Sequence, residues 1–489
     1  MKTILVTGLV ILACKGLSAQ KQGWQNLDLQ KDSVFGISTE KAYNELLKNK
    51  KPVMVIVGII DSGIDTPQED LKAVIWTNTE DGSHGWNYIG AETGREDITQ
   101  LAGYKKDFYD SLAYTTVPES FRAGYQQHRK LMPQLKGKIG AMQDLVAELE
   151  LVQKTVDTIL KKLGKTNPTA DDFKNYREDN ESQQLLIKKI IRRFALYPDW
   201  NTYQYNEITH ILEMAKYHLA HGLNDSNTET DTAKGNTEVS PDKLGPVDEP
   251  NLTAYHGTHV AGIIGAVRNN NIGVNGIADH VQIMMLKENG TIREMRDEAL
   301  ARAIRFAVDH GAKVINLSFG KPYTWDKKAV DDAVRYAMQK DVVLVHAAGN
   351  TSENLDSEEH YPNPVYADKT GTAKAWIEVG ASGWNDDSTL ATSFSNYGKK
   401  DVDVFAPGVE IYSTLPFNQY NSWSGTSMAA PMVSGLAALV REYYPKLTAV
   451  EVKDVIMKSV IKRDILKDKC VSGGIVNAYN ALLLASKYK

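Results

Sequence analysis

The chain is poor in cysteine, with Cys14 and Cys470 the only two among 489 residues. Cys14 falls in an apolar stretch at the N-terminus, so no internal disulfide is expected, and stability must come from packing or bound metal. An excess of basic charge is also missing. Lys and Arg number 56 against 61 Asp and Glu, a net charge of −5, and the lysines are spread among acids. Nucleic acid would call for a clustered basic face, so no nucleic-acid partner is expected. No stretch of 18 uninterrupted apolar residues occurs, which leaves no expected membrane span. Internal repeats and long low-complexity segments are absent as well. What remains, 42% hydrophobic and 24% charged residues, is the balance of a soluble globular protein.

The first residues read as a targeting segment. Met1-Lys2-Thr3 is a short basic start, Ile4 to Ala13 is an apolar run too short to span a bilayer, and Ser18-Ala19-Gln20 is a cleavage point after Ala19. This is the pattern of a secretory signal peptide over 1–19. Ile11-Leu12-Ala13-Cys14 also resembles a lipobox, the alternative in which Cys14 carries a lipid anchor. An exported bacterial protein is expected, either secreted, periplasmic or associated with an outer membrane.

Along the chain, Pro52 to Ile60 reads as a strand buried on both faces, and it stops abruptly at Asp61-Ser62-Gly63. Short apolar runs recur at Val281 to Leu286, Lys313 to Leu317, Val342 to His346, Trp376 to Val379 and Val402 to Phe405. Between several of them lie helical patterns, such as Ile292 to His310 with Met295, Ala299, Ala303 and Phe306 on one face. The alternation predicts an α/β fold with a mostly parallel sheet covered on both sides. From Thr99 to Leu244 no such strand appears. Ile139, Met142, Val146, Leu149, Val152, Ile159 and Leu163 instead form a stripe at helical spacing, and Leu185 to Leu196 and Tyr205 to Leu219 give two further amphipathic helices. A helical bundle burying its own core is expected there, ending in a polar linker over Asn224 to Gly245. The expected divisions are 1–19, an N-terminal arm over 20–50, a first part of the main domain over 51–98, the helical insertion and linker over 99–245, and the second part over 246–489.

Three segments carry chemistry. In Ser424-Gly425-Thr426-Ser427-Met428-Ala429-Ala430-Pro431, small residues crowd a serine just before an apolar helical run. A serine in a helix's first turn stands among unpaired N–H groups at the positive end of the helix dipole. Taken alone, such a pattern is more commonly that of a helix N-cap serine. In Tyr255-His256-Gly257-Thr258-His259-Val260, a histidine precedes another small, apolar helix. His256 and His259 without a third ligand do not make a zinc site. Asp61 ends the most apolar strand at its carboxyl end, where open parallel sheets present functional groups, and a carboxylate there can hold an imidazole in one tautomer.

Together, Asp61-Ser62-Gly63-Ile64-Asp65, His256-Gly257-Thr258-His259-Val260-Ala261-Gly262 and Gly425-Thr426-Ser427-Met428-Ala429-Ala430-Pro431 resemble the signature segments of the subtilisin-like serine peptidases (subtilases, peptidase family S8). They occur in that family's order of Asp, His, Ser. The resemblance covers about Lys51 to Ile98 and Pro246 to Leu484. It implies the family's three-layer α/β fold around a mostly parallel sheet, here with an all-helical insertion. It further implies Ser427 as nucleophile, His256 as general base and then acid, and Asp61 as its orienting carboxylate. Ala347-Ala348-Gly349-Asn350 resembles the oxyanion-hole segment, with Asn350 donating its amide. Ser318-Phe319-Gly320 and Gly349 are implied to bind an extended protein or peptide substrate by β-pairing. No cofactor is required for such chemistry. A structural calcium ion is implied at Asp70 and Asn270, with Asp32 completing the set from the arm; a solvated Asn-rich turn is the alternative. Phe394-Ser395-Asn396-Tyr397-Gly398 matches a scaffold turn with no chemistry assigned.

Two departures stand out. About 30 residues separate the signal segment from the first strand, too few for the folded pro-domain common in this family. The insertion of roughly 145 residues between Asp61 and His256 is one that most relatives lack, and it is expected to stand beside the cleft. Beside peptide-bond hydrolysis, the sequence leaves two alternatives: a transpeptidase or macrocyclase using the same acyl-enzyme, and a binding protein on an inactive scaffold.

Overall fold

The computed structural model describes residues 22–88, 117–177, 181–194, 199–221, 254–288 and 295–488, together with Tyr109 and Leu223. The signal segment with Cys14, the polar linker over Asn224 to Gly245 and much of 89–116 lie outside the described residues.

The six apolar runs form the strands expected of them, and three short strands that the sequence did not mark, Gly85–Asn87, Ile461–Lys462 and Gly474–Ile475, join the same sheet. β1 (Val55–Asp61), β2 (Gly85–Asn87), β3 (Val281–Lys287), β4 (Val314–Leu317), β5 (Val343–Ala347), β6 (Trp376–Ser382) and β7 (Val404–Pro407) join one sheet with β10 (Ile461–Lys462) and β11 (Gly474–Ile475). Its order is β10-β11-β7-β6-β5-β4-β1-β3-β2, and every pairing except β10 with β11 is parallel. A separate antiparallel hairpin consists of β8 (Ile411–Leu415) and β9 (Gln419–Trp423).

Parallel strands must be covered on both faces, because each is apolar on both. Val57 and Ile59 of β1 face one core with α4 (Tyr255–Gly265) and α7 (Thr426–Tyr443). Ile60 faces the other with α5 (Asp297–Asp309) and α6 (Lys327–Gln339). α7 is buried almost all round, as a helix running through the middle of a core must be. α8 (Ala449–Lys458) and α9 (Ala478–Ala485) complete its side of the sheet.

The N-terminal arm is built into this core. Trp24, Phe35 and Ile37 are wholly buried, the Ala478 N–H donates to Ile37 O at 2.7 Å, and the Phe35 N–H to Trp384 O at 2.9 Å.

The described residues of the insertion are mostly helical, as its periodicity predicts. α1 (Glu119–Leu163) is 45 residues long, about 68 Å at 1.5 Å per residue; α2 (Glu181–Phe194) and α3 (His210–His221) follow. Val152, Val156, Ile159, Phe173, Ile187, Ile190, Phe194 and Trp200 form its own core, against which Tyr255 and Phe417 of the main domain also pack. A second contact sets Leu131, Met132 and Leu135 of α1 against Tyr323.

Candidate active site

The register of the sheet brings the chemical residues to one edge. Ile60 lies opposite Leu317, and Leu317 opposite His346. The carboxyl ends of β1, β4 and β5 therefore stand side by side, and each hands over directly to a predicted segment: Asp61, then Ser318-Phe319-Gly320, then Ala348-Gly349-Asn350. The first turns of α4 and α7 supply His256 and Ser427 above them.

His256 Nδ1–H is shared between both oxygens of Asp61, at 2.8 and 2.9 Å. The Asp61 side chain is fully buried and also accepts the Ser62 N–H at 2.6 Å. That contact fixes the tautomer, so Nε2 carries the lone pair. Burial by itself pulls the His256 pKa down, but the charge and hydrogen bond of Asp61 outweigh it, and the net position is above the ordinary 6.5. The ring stays a third exposed, open to a cleft of about 480 Å³ lined by His256, Asn350, Trp423, Gly425 and Ser427 among others.

Ser427 lines the same cleft. In the structure its Oγ donates to the Ser318 carbonyl at 3.1 Å, and Ser318 Oγ donates back to Ser427 O at 3.1 Å. Asn316 and Ser434 anchor this exchange from below, with Asn316 Nδ2 on Ser318 Oγ at 2.9 Å and Ser434 Oγ on Asn316 Oδ1 at 2.8 Å. Asn350 is held by its oxygen, which accepts the Thr426 N–H at 2.9 Å and the Thr426 hydroxyl at 3.0 Å. This leaves its Nδ2 donor for the cleft, beside the first-turn N–H groups of α7.

A profile described as Subtilase family matches residues 54–479. The chain belongs to the subtilase family. It is similar to a thermophilic serine proteinase of Bacillus sp. (strain AK1), at 37% identity over 46% of this chain and 52% of the relative. Subtilisin DY of Bacillus licheniformis is 38% identical over 41% of this chain and 68% of its own length. Subtilisin BL of Lederbergia lenta is 35% identical over 47% and 75% respectively. The matched stretch thus spans about half of the first relative.

Within this subtilase site, three residues matter that the sequence reading passed over or left without a role. Trp423, at the end of β9, stacks on His259 at 4.8 Å and lies 6.3 Å from the His256 ring. His259 itself is a core residue: its Nε2 bonds Asn421 O at 3.1 Å, and burial pushes its pKa down to about 3. Asn396, in the turn given no chemistry, ties down the Ala348-Gly349-Asn350 segment. Its Nδ2 donates to Ala348 O at 2.8 Å, and its oxygen accepts the N–H groups of Thr351 and Glu353 at 3.0 and 2.9 Å. Gly349 at φ +103° passes so close that a Cβ there would sit 2.5 Å from Asn396 Nδ2.

The calcium set is not assembled as its donors stand. Both Asp70 oxygens already accept N–H groups, from Asn270 Nδ2 at 2.6 Å and Val274 at 2.8 Å. Asp32 spends its carboxylate within the arm, on the Asp28 N–H at 2.9 Å. Calcium wants six or more oxygens; of the three expected ligands Asp70 and Asn270 meet, joined by a hydrogen bond, while Asp32 is bonded within the arm.

Proposed function

We propose that the chain is an exported serine endopeptidase that hydrolyses peptide bonds through an acyl-enzyme on Ser427. The observation that carries this reading is the Asp61–His256 pair, bonded at 2.8 and 2.9 Å and opening on the cleft that Ser427 and Asn350 also line. An extended peptide pairs with Ser318-Phe319-Gly320 on one side and is met by Gly349 on the other. Rotation about the Ser427 Cα–Cβ bond turns Oγ away from Ser318 O toward His256 Nε2, which takes its proton as Oγ attacks the scissile carbonyl. Asn350 Nδ2 and the Ser427 N–H stabilise the oxyanion. His256 then gives its proton to the leaving amine as the C–N bond breaks. Water, deprotonated by the same imidazole, releases the acid. Asp61 steadies the imidazolium throughout. The apolar run Ile4 to Ala13 supports export.

The test is labelling of the full chain with a fluorophosphonate probe, together with product masses from a peptide library. Labelling of the wild type, its loss in Ser427→Ala and linear hydrolysis products are expected. An unlabelled wild type would point to an inactive scaffold, and cyclised products to a transpeptidase.

A further inference from the structure

Behind the substrate segments lies a second polar cluster, which the proposed chemistry does not use. His346 of β5 and Glu378 of β6 are register partners and so project from the same face of the sheet. His346 Nδ1–H donates to both Glu378 oxygens, at 2.8 and 3.0 Å. Glu378 is further fixed by the Trp376 indole N–H at 2.9 Å. That arrangement commits the His346 proton to Nδ1 and leaves Nε2 as a bare acceptor. His346 is 0% exposed, and its Nε2 has no hydrogen-bond partner. The ring of His360 stands 5.4 Å away, and its Nε2 is likewise buried without a partner. Two orphaned ring nitrogens in one buried spot are costly, and native interiors rarely leave such groups unexplained.

One ligand atom from each of His346, His360 and Glu378 lies within 4.8 Å of the others, the one cluster of this kind among the described residues. A cavity of about 190 Å³ reaches it, lined by His360 and Glu378 together with Glu358, Glu359 and Asp401. Its carboxylates would draw in a cation.

We propose that His346, His360 and Glu378 form a binding site for a zinc-like divalent transition ion. The two imidazole Nε2 atoms are the ligands. Glu378 orients His346 and supplies negative charge, the carboxylate–histidine–metal pattern that raises ligand basicity. The remaining positions open onto the cavity. Imidazole donors suit zinc and its neighbours rather than calcium or magnesium. The site also abuts the substrate segments: a Cβ on Gly320 would lie 2.2 Å from His360 Nε2, and one on Gly349 3.3 Å from His360 Cε1. An ion there would bear on the pocket floor. That coupling rests on the peptidase reading, whereas binding itself does not.

Full-length Ser427→Ala protein, stripped by a chelator and titrated with Co²⁺, tests the site directly. One equivalent is expected to bind with visible d–d absorption, to be displaced by Zn²⁺ and to resist Ca²⁺. His360→Gln and Glu378→Gln should each weaken binding roughly 10- to 100-fold, with thermal unfolding followed to confirm the fold. X-ray absorption of the zinc-loaded parent, showing imidazole ligation, gives a readout independent of any variant at the site. No Co²⁺ band, a band unchanged in both variants, or displacement by Ca²⁺ would overturn the proposal.

Discussion

His256 and Asn350 set the pH limits and the rate of the proposed reaction. The base must be neutral, and the Asp61 carboxylate holds the His256 pKa above 6.5. Activity is therefore expected in full at alkaline pH and lost as pH falls through that raised value. The stability carried by the pair runs the other way: it is fully present below the unfolded pKa of about 6.5 and disappears as pH rises through the folded one. In Asp61→Asn the acid limb of kcat/KM should move to lower pH, with kcat down on the order of 10⁴-fold; a limb that stays in place would detach it from His256. Asn350→Leu removes one oxyanion donor while its neighbours remain. Turnover should drop by about 100- to 1000-fold, as on removal of such a donor in subtilisin itself, with KM little changed. A loss confined to KM would instead make Asn350 a ground-state binder.

At the scale of elements, six strands of the sheet were legible because each is a short apolar run ended by a turn or a functional residue, whereas β2, β10 and β11 are two or three residues long and leave no such run. The structure extends Trp376–Val379 to Ser382 and carries β1 one residue further, to Asp61 itself. The β8–β9 hairpin was not legible. β9 reads Gln-Tyr-Asn-Ser-Trp with no fully buried residue, so neither apolar alternation nor propensity marks it, and Trp423 could not be placed beside His259 from spacing alone. Asn396 was invisible for a different reason. Its partners, Ala348, Thr351 and Glu353, lie more than 40 residues away, and only the fold brings them together. That makes it a positioning residue with a distinct signature. Asn396→Ala leaves the buried Ala348 carbonyl unpaired, at about 1–3 kcal/mol, and hands the N–H groups of the exposed Thr351 and Glu353 to water. It should lower the unfolding midpoint and reduce kcat more than KM, because the Asn350 amide loses its fixed aim. Asn396→Asp keeps the acceptor that serves Thr351 and Glu353 and should recover part of the turnover; equal loss in both variants would argue for a purely structural role.

For the molecule as a whole, the sequence showed that a helical bundle separates Asp61 from His256, but not where it sits. The structure packs it against two walls of the main domain, one beside His256 and one just after Ser318-Phe319-Gly320. Tyr255, next to His256, packs against the bundle core. On the other wall Leu131, Met132 and Leu135 hold Tyr323, whose hydroxyl accepts a bond from Lys138 Nζ at 3.1 Å. Tyr323 follows the substrate segment by three residues. Because the bundle has its own core, it can loosen from one wall as a unit without unravelling. Leu135 is 0% exposed, so Leu135→Asp would bury an unpaired carboxylate, which costs several kcal/mol unless the contact opens. The expected result is faster hydrogen exchange along the Leu131–Leu135 stretch of α1, with Val152 to Ile159 still protected and Ser427 still labelled by a fluorophosphonate. Cleavage of long substrates, which extend furthest from Ser427 toward the bundle, should change more than that of short ones. Equal effects on long and short substrates would mean that the bundle braces the domain and takes no part in choosing what enters.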